Sequence, residues 1–300
     1  MEKSPKIGIL GVGWVGQQLK RYFEEICGYQ SGKNLFLYDI VPEKCAGDIN
    51  DAEIIFVTVP TPRNPKDGSC DISIVIDAVK KLNGNKIVVL KSTVPPGTTE
   101  FFQKNYPQHK FLFNPEFLSE SRAWEDLIRP DRQIVGFTEK SLDVANLVLS
   151  LLPKAPFMSP WGVGTYHQTR ITATEAEMIK YAGNIHFVRK VNWANALVKL
   201  SEKLGIDYEN IRKGMAADHR IGDSHLDVNH GGYRGWGGSC FPKDLDAFIQ
   251  FSKDSNIKDV ASILQSDRDF NENLLKEQGL SLEKVSHHID VLVKKLKKGK

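Results

Sequence analysis

Cysteine is scarce in this chain, with four residues in 300: Cys27, Cys45, Cys70 and Cys240. No two of them form a C-x-x-C pair, and so few thiols make neither a disulfide scaffold nor a zinc site. Excess charge is lacking as well. The 40 Lys and Arg face 37 Asp and Glu, a formal net charge of +3, and a nearly balanced chain has no electrostatic footprint for nucleic acid. The one basic cluster, Lys294 to Lys300, reads as a solvated terminus. Apolar runs long enough to cross a bilayer are missing. The first residues lead straight into a strand rather than through the apolar stretch of a signal peptide. Repeats and low-complexity linkers are missing too. Together these absences predict a soluble cytoplasmic protein with no metal, nucleic-acid or membrane partner. What is present is a 41% apolar content, enough for a sizeable core, over a length that suggests two domains.

Lys6 to Gly11 is a short apolar strand that ends in Gly11-Val12-Gly13-Trp14-Val15-Gly16 and continues as a helix to about Ile26. A second strand, Asn34 to Tyr38, ends at Asp39. Strand, glycines, helix, strand and terminal acid in this order form the dinucleotide-binding fingerprint. The first glycine makes the turn, the second admits the pyrophosphate to the backbone, and the third lets the helix pack on the strand. The helix N-terminus then holds the phosphates. Asp39 suits the ribose hydroxyls and repels a 2′-phosphate, so NAD is expected rather than NADP.

The alternation continues with strands at Glu53 to Val59, Lys86 to Lys91, Phe111 to Phe113 and Gln133 to Phe137, and helices at Ile72 to Leu82 and Ser141 to Leu151. This pattern predicts an α/β fold whose N-terminal part is a Rossmann-type, doubly wound parallel sheet. Thr61, Thr93 and Glu116 fall at carboxyl ends of strands, where such sheets bind ligands. For Thr61, loop-turn chemistry is an equal alternative. Thr174 to Leu204 reads as one long helix with apolar positions at Met178, Ala182, Ile185, Val188, Val191 and Ala194. Lys180 and Asn184 are i,i+4 neighbours on one face of it. Helices at Asp207 to Ala217, Lys243 to Ser252 and Asp259 to Gln278 complete a helical domain. The expected division is residues 1–170 for NAD and residues 171–300 for substrate and dimerisation.

A glycine-rich run, Gly231 to Gly238, delivers Cys240 to a turn, and Pro242 follows where Pro favours the first turn of a helix. A thiol at that place faces the positive end of a helix dipole and becomes a better nucleophile. The plain alternative is an inert cysteine in a tight loop. A nucleophilic cysteine beside a nicotinamide can capture an aldehyde as a thiohemiacetal, which a second hydride transfer converts to a thioester. Such a site needs donors for the oxyanion, a role that suits Lys180 and Asn184. It also needs a base for the hydrolytic water, a role that suits Glu116, Thr93 or Asp244.

The motifs resemble those of the UDP-glucose/GDP-mannose dehydrogenase family. They are Gly11 to Gly16, Lys91-Ser92-Thr93-Val94-Pro95-Pro96-Gly97, Asn114-Pro115-Glu116-Phe117-Leu118-Ser119-Glu120, Pro130-Asp131-Arg132, Glu177 to Asn184, Arg220-Ile221-Gly222 and Gly237 to Asp244, in family order over residues 6–250. The resemblance implies an NAD-dependent, four-electron oxidation of a nucleotide sugar such as UDP-glucose. It implies Cys240 as nucleophile, Lys180 and Asn184 on the oxyanion and sugar, Asp244 in support, and Glu116 as base with Thr93 placing the water. It assigns Gly11, Val12, Gly13, Trp14, Val15, Gly16, Asp39, Lys44, Thr61, Thr93 and Glu120 to the cofactor. To the substrate it assigns Glu116, Phe117, Leu118 and Gly237, with Arg220 reaching across a homodimer whose seam is the long helix. Relatives continue into a second nucleotide-fold domain that clamps UDP. No second strand–helix alternation follows Cys240, so the sugar-reacting half is expected here without the uridine-binding half. Two other readings stay open: a two-electron β-hydroxyacid dehydrogenase, which also uses a helical Lys with an Asn four residues on, and a non-catalytic NAD-binding remnant.

Overall fold

The structure, a computed structural model, describes residues 4–160 and 170–286. The basic cluster near the C-terminus lies outside the described residues. The chain forms two units: residues 1–61 with 71–180, and residues 62–70 with 181–300.

In the first unit, strands β1 (Ile7–Leu10), β2 (Leu35–Tyr38), β3 (Ile54–Val57), β4 (Ile87–Leu90), β5 (Lys110–Phe113) and β7 (Gly136–Phe137) make one sheet in the order β2-β1-β3-β4-β5-β7. The first five are mutually parallel. Side chains along them alternate between two cores, as a period of two requires. Ile7, Ile9, Ile54 and Phe56 join one core with Leu19 and Phe23 of α1 (Trp14–Glu25) and Leu149 of α5 (Leu142–Ser150). Leu10, Ile55 and Val57 join the other with Val75 and Val79 of α2 (Ser73–Val79) and Phe102 of α3 (Thr98–Asn105). Both faces are therefore dry, which is why these strands read as continuous apolar runs. A fully buried Phe or Ile of this kind contributes roughly 1.5–3 kcal/mol of burial free energy. The chain leaves β1 first for β2 and then for β3, so the switch point lies between β1 and β3 at their carboxyl ends.

One predicted strand is corrected. The run Gln133 to Phe137 splits into β6 (Arg132–Ile134), which pairs in parallel with β8 (Phe157–Ser159) in a separate two-stranded sheet, and β7, which pairs antiparallel with β5. The sheet is thus parallel except at that edge. Gly136 is the bend. A Cβ there would stand 2.7 Å from both Ala176 Cβ and Thr172 O. A short α4 (Ala123–Ile128) precedes β6.

Helix α6 (Ala173–Leu204) runs unbroken for 32 residues, about 48 Å at 1.5 Å per residue. The second unit adds α7 (Tyr208–Ala216), α8 (Phe241–Asp254), α9 (Lys258–Glu277) and α10 (Leu282–Val285). Its core gathers Tyr181, Ile185 and Val188 of α6 with Trp236, Leu245, Ile249 and Leu264. Of the predicted apolar stripe on α6, Ile185, Val188 and Ala194 are buried, whereas Met178 and Ala182 are exposed. At that end Glu177, Lys180 and Tyr181 face inward instead.

Glu177 explains part of that exchange. Helix α3 has no side-chain cap of its own. The wholly buried Glu177 carboxylate supplies one, accepting from Gly97 N–H at 2.6 Å, Thr99 N–H at 2.7 Å and the Thr99 hydroxyl at 2.6 Å. Burial pushes this carboxyl up to about 7, against the opposing pull of those three donors. The folded value lies above the ordinary 4.5, so folding favours the protonated form. Its contribution is complete below pH 4.5 and is lost as pH rises through about 7. Glu177→Gln should therefore be less stable overall but flatter with pH. The fall in unfolding free energy across that interval, on the order of 2–3 kcal/mol, should vanish in urea titrations of the variant. Parallel pH curves for both proteins would refute this.

Candidate functional site

The loop from β1 to α1 lies at the switch point. Gly11 takes φ +92°, and a Cβ on Gly16 would stand 2.0 Å from Gly11 O, so the first turn of α1 closes directly on the strand. Gly13 is the N-cap of α1, and a Cβ there would meet nothing within 4 Å. That leaves open room in front of the helix N-terminus, with no acidic residue in the first turn to repel an anion. Asp39, just past β2, accepts from Val12 N–H at 2.7 Å and from Val41 N–H at 2.9 Å. Lys44 donates to Val12 O at 2.9 Å. The Val12 peptide is thus held on both sides, and each Asp39 oxygen keeps a lone pair for a hydroxyl. Trp14 is exposed and Val15 half-buried. A bound NAD would find its pyrophosphate cradle and ribose acceptor in these residues.

Further along the same edge, Thr61 is buried and donates to Thr93 O at 2.7 Å, tying the ends of β3 and β4 together. Glu116, past β5, pairs with Lys180 of α6 at 2.7 Å, with side-chain exposures of 10% and 5%. Its second oxygen accepts from Leu118 N–H at 2.9 Å. Burial alone would push the Glu116 carboxyl up, but Lys180, the Leu118 amide and Lys91 together hold it below its ordinary value. Phe117 carries the Arg132 guanidinium on its ring at 3.8 Å, with the Lys180 ammonium 5.8 Å from the same ring. Glu120 is exposed in the loop before α4.

In the second unit the glycine-rich run is anchored by Trp236. Its N–H and C=O both bond the Asn271 side chain, at 2.8 and 2.9 Å, and its indole N–H donates to Asn192 Oδ1 at 2.8 Å. Gly237 packs against Val285, whose carbonyl accepts from Gly238 N–H at 3.0 Å. Half-buried Cys240 is then the N-cap of α8, with Pro242 in the first turn. One turn on, buried Asp244 accepts from Asn184 Nδ2 at 2.6 Å and from Lys243 Nζ. Burial would lower the pKa of Lys243, yet Asp244, Cys240 and Cys70 together hold it above the ordinary value. Arg220 is exposed and forms an ion pair with Asp218.

The structure therefore gathers Thr61, Thr93, Glu116, Phe117, Leu118 and Lys180 in one unit. It gathers Asn184, Gly237, Cys240 and Asp244 in the other. Sequence reasoning gave no role to Lys91, Glu177 or Lys243. A signal for Lys91 was present, since it directly continues a buried apolar strand, where a charge is out of place.

Residues 41–150 match the model of the UDP-glucose/GDP-mannose dehydrogenase family, NAD binding domain, and residues 174–273 match that of the same family's central domain. A UDP-glucose 6-dehydrogenase of Rickettsia bellii (strain RML369-C) is 30% identical over 266 residues, covering 84% of this chain and 56% of that protein. One of Pseudomonas aeruginosa is 36% identical over 220 residues, covering 68% of this chain and 46% of that protein. The chain thus spans about half the length of the curated relatives it matches. Among solved structures, a UDP-glucose dehydrogenase from the hyperthermophilic archaeon Pyrobaculum islandicum superposes with a TM-score of 0.70 at 27% identity, covering 92% of this chain and 71% of that one.

The two loop glycines should separate in experiment. Gly16→Ala forces a clash with backbone and should lower the melting temperature by several degrees. Gly13→Ala should leave it within about 2 °C yet weaken NAD at least ~10-fold by filling the open cradle, read by calorimetric titration. Equal NAD affinity in Gly13→Ala and the unmodified chain would remove the pyrophosphate from this loop.

Proposed function

This chain belongs to the UDP-glucose/GDP-mannose dehydrogenase family, and on that premise we propose that it takes part in the NAD-dependent oxidation of UDP-glucose to UDP-glucuronate. The observation that carries this reading is Cys240 at the N-cap of α8, one turn before an Asp244 carboxylate gripped by Asn184 and Lys243. A two-electron hydroxyacid dehydrogenase has no use for that thiol.

NAD, when bound, accepts one hydride in each of two successive oxidations. The chain's residues do the rest. Lys180 and Asn184, one turn apart on α6, donate to the sugar oxygen as it gains negative charge. The alcohol proton passes to water and, with the first hydride gone, the C6 alcohol becomes an aldehyde. The Cys240 sulfur adds to the carbonyl carbon, giving a thiohemiacetal whose oxygen rests on the same donors. Loss of the second hydride leaves a thioester on Cys240. Glu116 takes a proton from water, which adds to the thioester carbon, and the C–S bond breaks to return the thiolate. Thr93 places that water. Asp244 orients Asn184 and, with Lys243, keeps positive charge beside the sulfur. Glu120, Asp39 and Lys44 serve the cofactor.

We extend the proposal to a homodimer through α6. Trp193, Leu200 and Leu204 are 55%, 56% and 69% exposed and form one stripe at seven- and four-residue spacing. Arg220, exposed in one chain, would then meet substrate held by the partner.

Cys240→Ser should abolish net acid formation while leaving NAD affinity nearly unchanged. The check is complete conversion of UDP-glucose, with two NADH formed per substrate by the unmodified protein. One NADH per substrate would favour the two-electron alternative, and acid release by the variant would take Cys240 out of the mechanism. Lys180→Ala should lower turnover by ~10²-fold or more with little change in NAD binding. Equal losses in both would make Lys180 structural.

A further inference from the structure

Lys91 follows the last residue of β4, at the carboxyl end of a strand that is otherwise apolar. Its side chain is buried, at 5% exposure. The ammonium donates to Asn114 Oδ1 at 2.6 Å and to Asn114 O at 3.3 Å. Asn114 is itself locked in place. Its amide donates to Gln133 Oε1 at 2.9 Å and to Ile134 O at 2.6 Å, and Gln133 donates in turn to Pro153 O at 3.2 Å. Asn114 precedes Glu116 by two residues. Two buried ammonium groups thus sit on the segment that carries Glu116, one on the carboxylate itself and one on Asn114. Lys180 bonds the carboxylate directly, whereas Lys91 acts from a fixed seat.

The two cations have different freedom. On the reading proposed above, Lys180 turns its donors to the substrate oxygen during each oxidation. Glu116 must then remain an ionised base for hydrolysis with its direct partner engaged elsewhere. A carboxylate this buried would take up a proton if stranded. We infer that Lys91 is a positioning residue for Glu116, a fixed second cation that keeps the carboxylate ionised while Lys180 serves the substrate. This inference rests on that reading for its purpose, but the coupling of Lys91 to Glu116 stands without it. Among the described residues, Glu116 and Lys180 are the charged groups whose fields reach Lys91. Burial and Lys180 push the Lys91 ammonium down to about 8, against the pull of Glu116.

The test is a ¹³C NMR titration of the full, ligand-free chain carrying carboxyl-labelled glutamate, with the Glu116 signal assigned by its loss in Glu116→Gln. In the unmodified chain this signal should titrate below 4.5 and show a second, smaller inflection near 8 as Lys91 loses its proton. In Lys91→Met the first midpoint should rise, and Lys91→Arg should restore it. An unmoved midpoint in Lys91→Met overturns the inference. So does the absence of any inflection between about pH 7 and 9 in the unmodified chain, which needs no variant to fold. In turnover with UDP-glucose, Lys91→Met should shift the acid limb for glucuronate release upward by the same amount, with kcat falling more than KM changes. A chain that oxidises nothing overturns the function proposed above and leaves the carboxylate titration to decide this one.

Discussion

Charge can be buried here only where a partner waits for it, and that constraint sets the geometry of both units. Removing an ion from water costs several kcal/mol even after relaxation. Glu116, Lys180, Lys91, Asp244 and Lys243 are nonetheless largely or wholly hidden, and each has a bonded partner. Helix α6 shows the consequence. Glu177 must reach the N-terminus of α3 while Lys180, three residues later, reaches Glu116. Both requirements hold in one rotational setting of the helix, so the register of α6 against the sheet is tightly specified. Met178 and Ala182 are left outside as a result.

The glycines and the tryptophan answer a different need, that of placing backbone. Gly16 lets α1 close on β1 so that its amides face open space beyond Gly13. Trp236 does the equivalent work for Cys240. A glycine-rich segment has much conformational freedom to lose, and three hydrogen bonds to Asn271 and Asn192 hold this one in place before α8 begins. A nucleophile needs such support, because an effective thiol must be held where its target will stand. The support comes from neutral amides, which cost less to bury than charges.

Much of the molecule was legible in the chain because its causes are local. The glycine spacing of Gly11 to Gly16, the acid at Asp39, the alternating strands and helices and the unbroken run of α6 all follow from turn chemistry and periodicity within a few residues. The position of Cys240 before Pro242 was readable for the same reason. Helix α3 was not, since Pro95-Pro96-Gly97 reads as a loop and eight residues carry little periodicity. Nor was the splitting of Gln133 to Phe137, because the two halves of one apolar run find different partners, β8 and β5.

The sequence by itself determined most of the element types, the dinucleotide loop and which residue types stand at the strand ends and before α8. Tertiary structure alone decided how those groups are charged and held. Glu177 meets Thr99 across 78 residues, Lys180 meets Glu116 across 64, and Asn184 meets Asp244 across 60. The reason is one of range. Helix, strand and turn preferences act between near neighbours in the chain. The protonation of a buried group answers to whatever charge and dipole the folded chain brings within a few ångström.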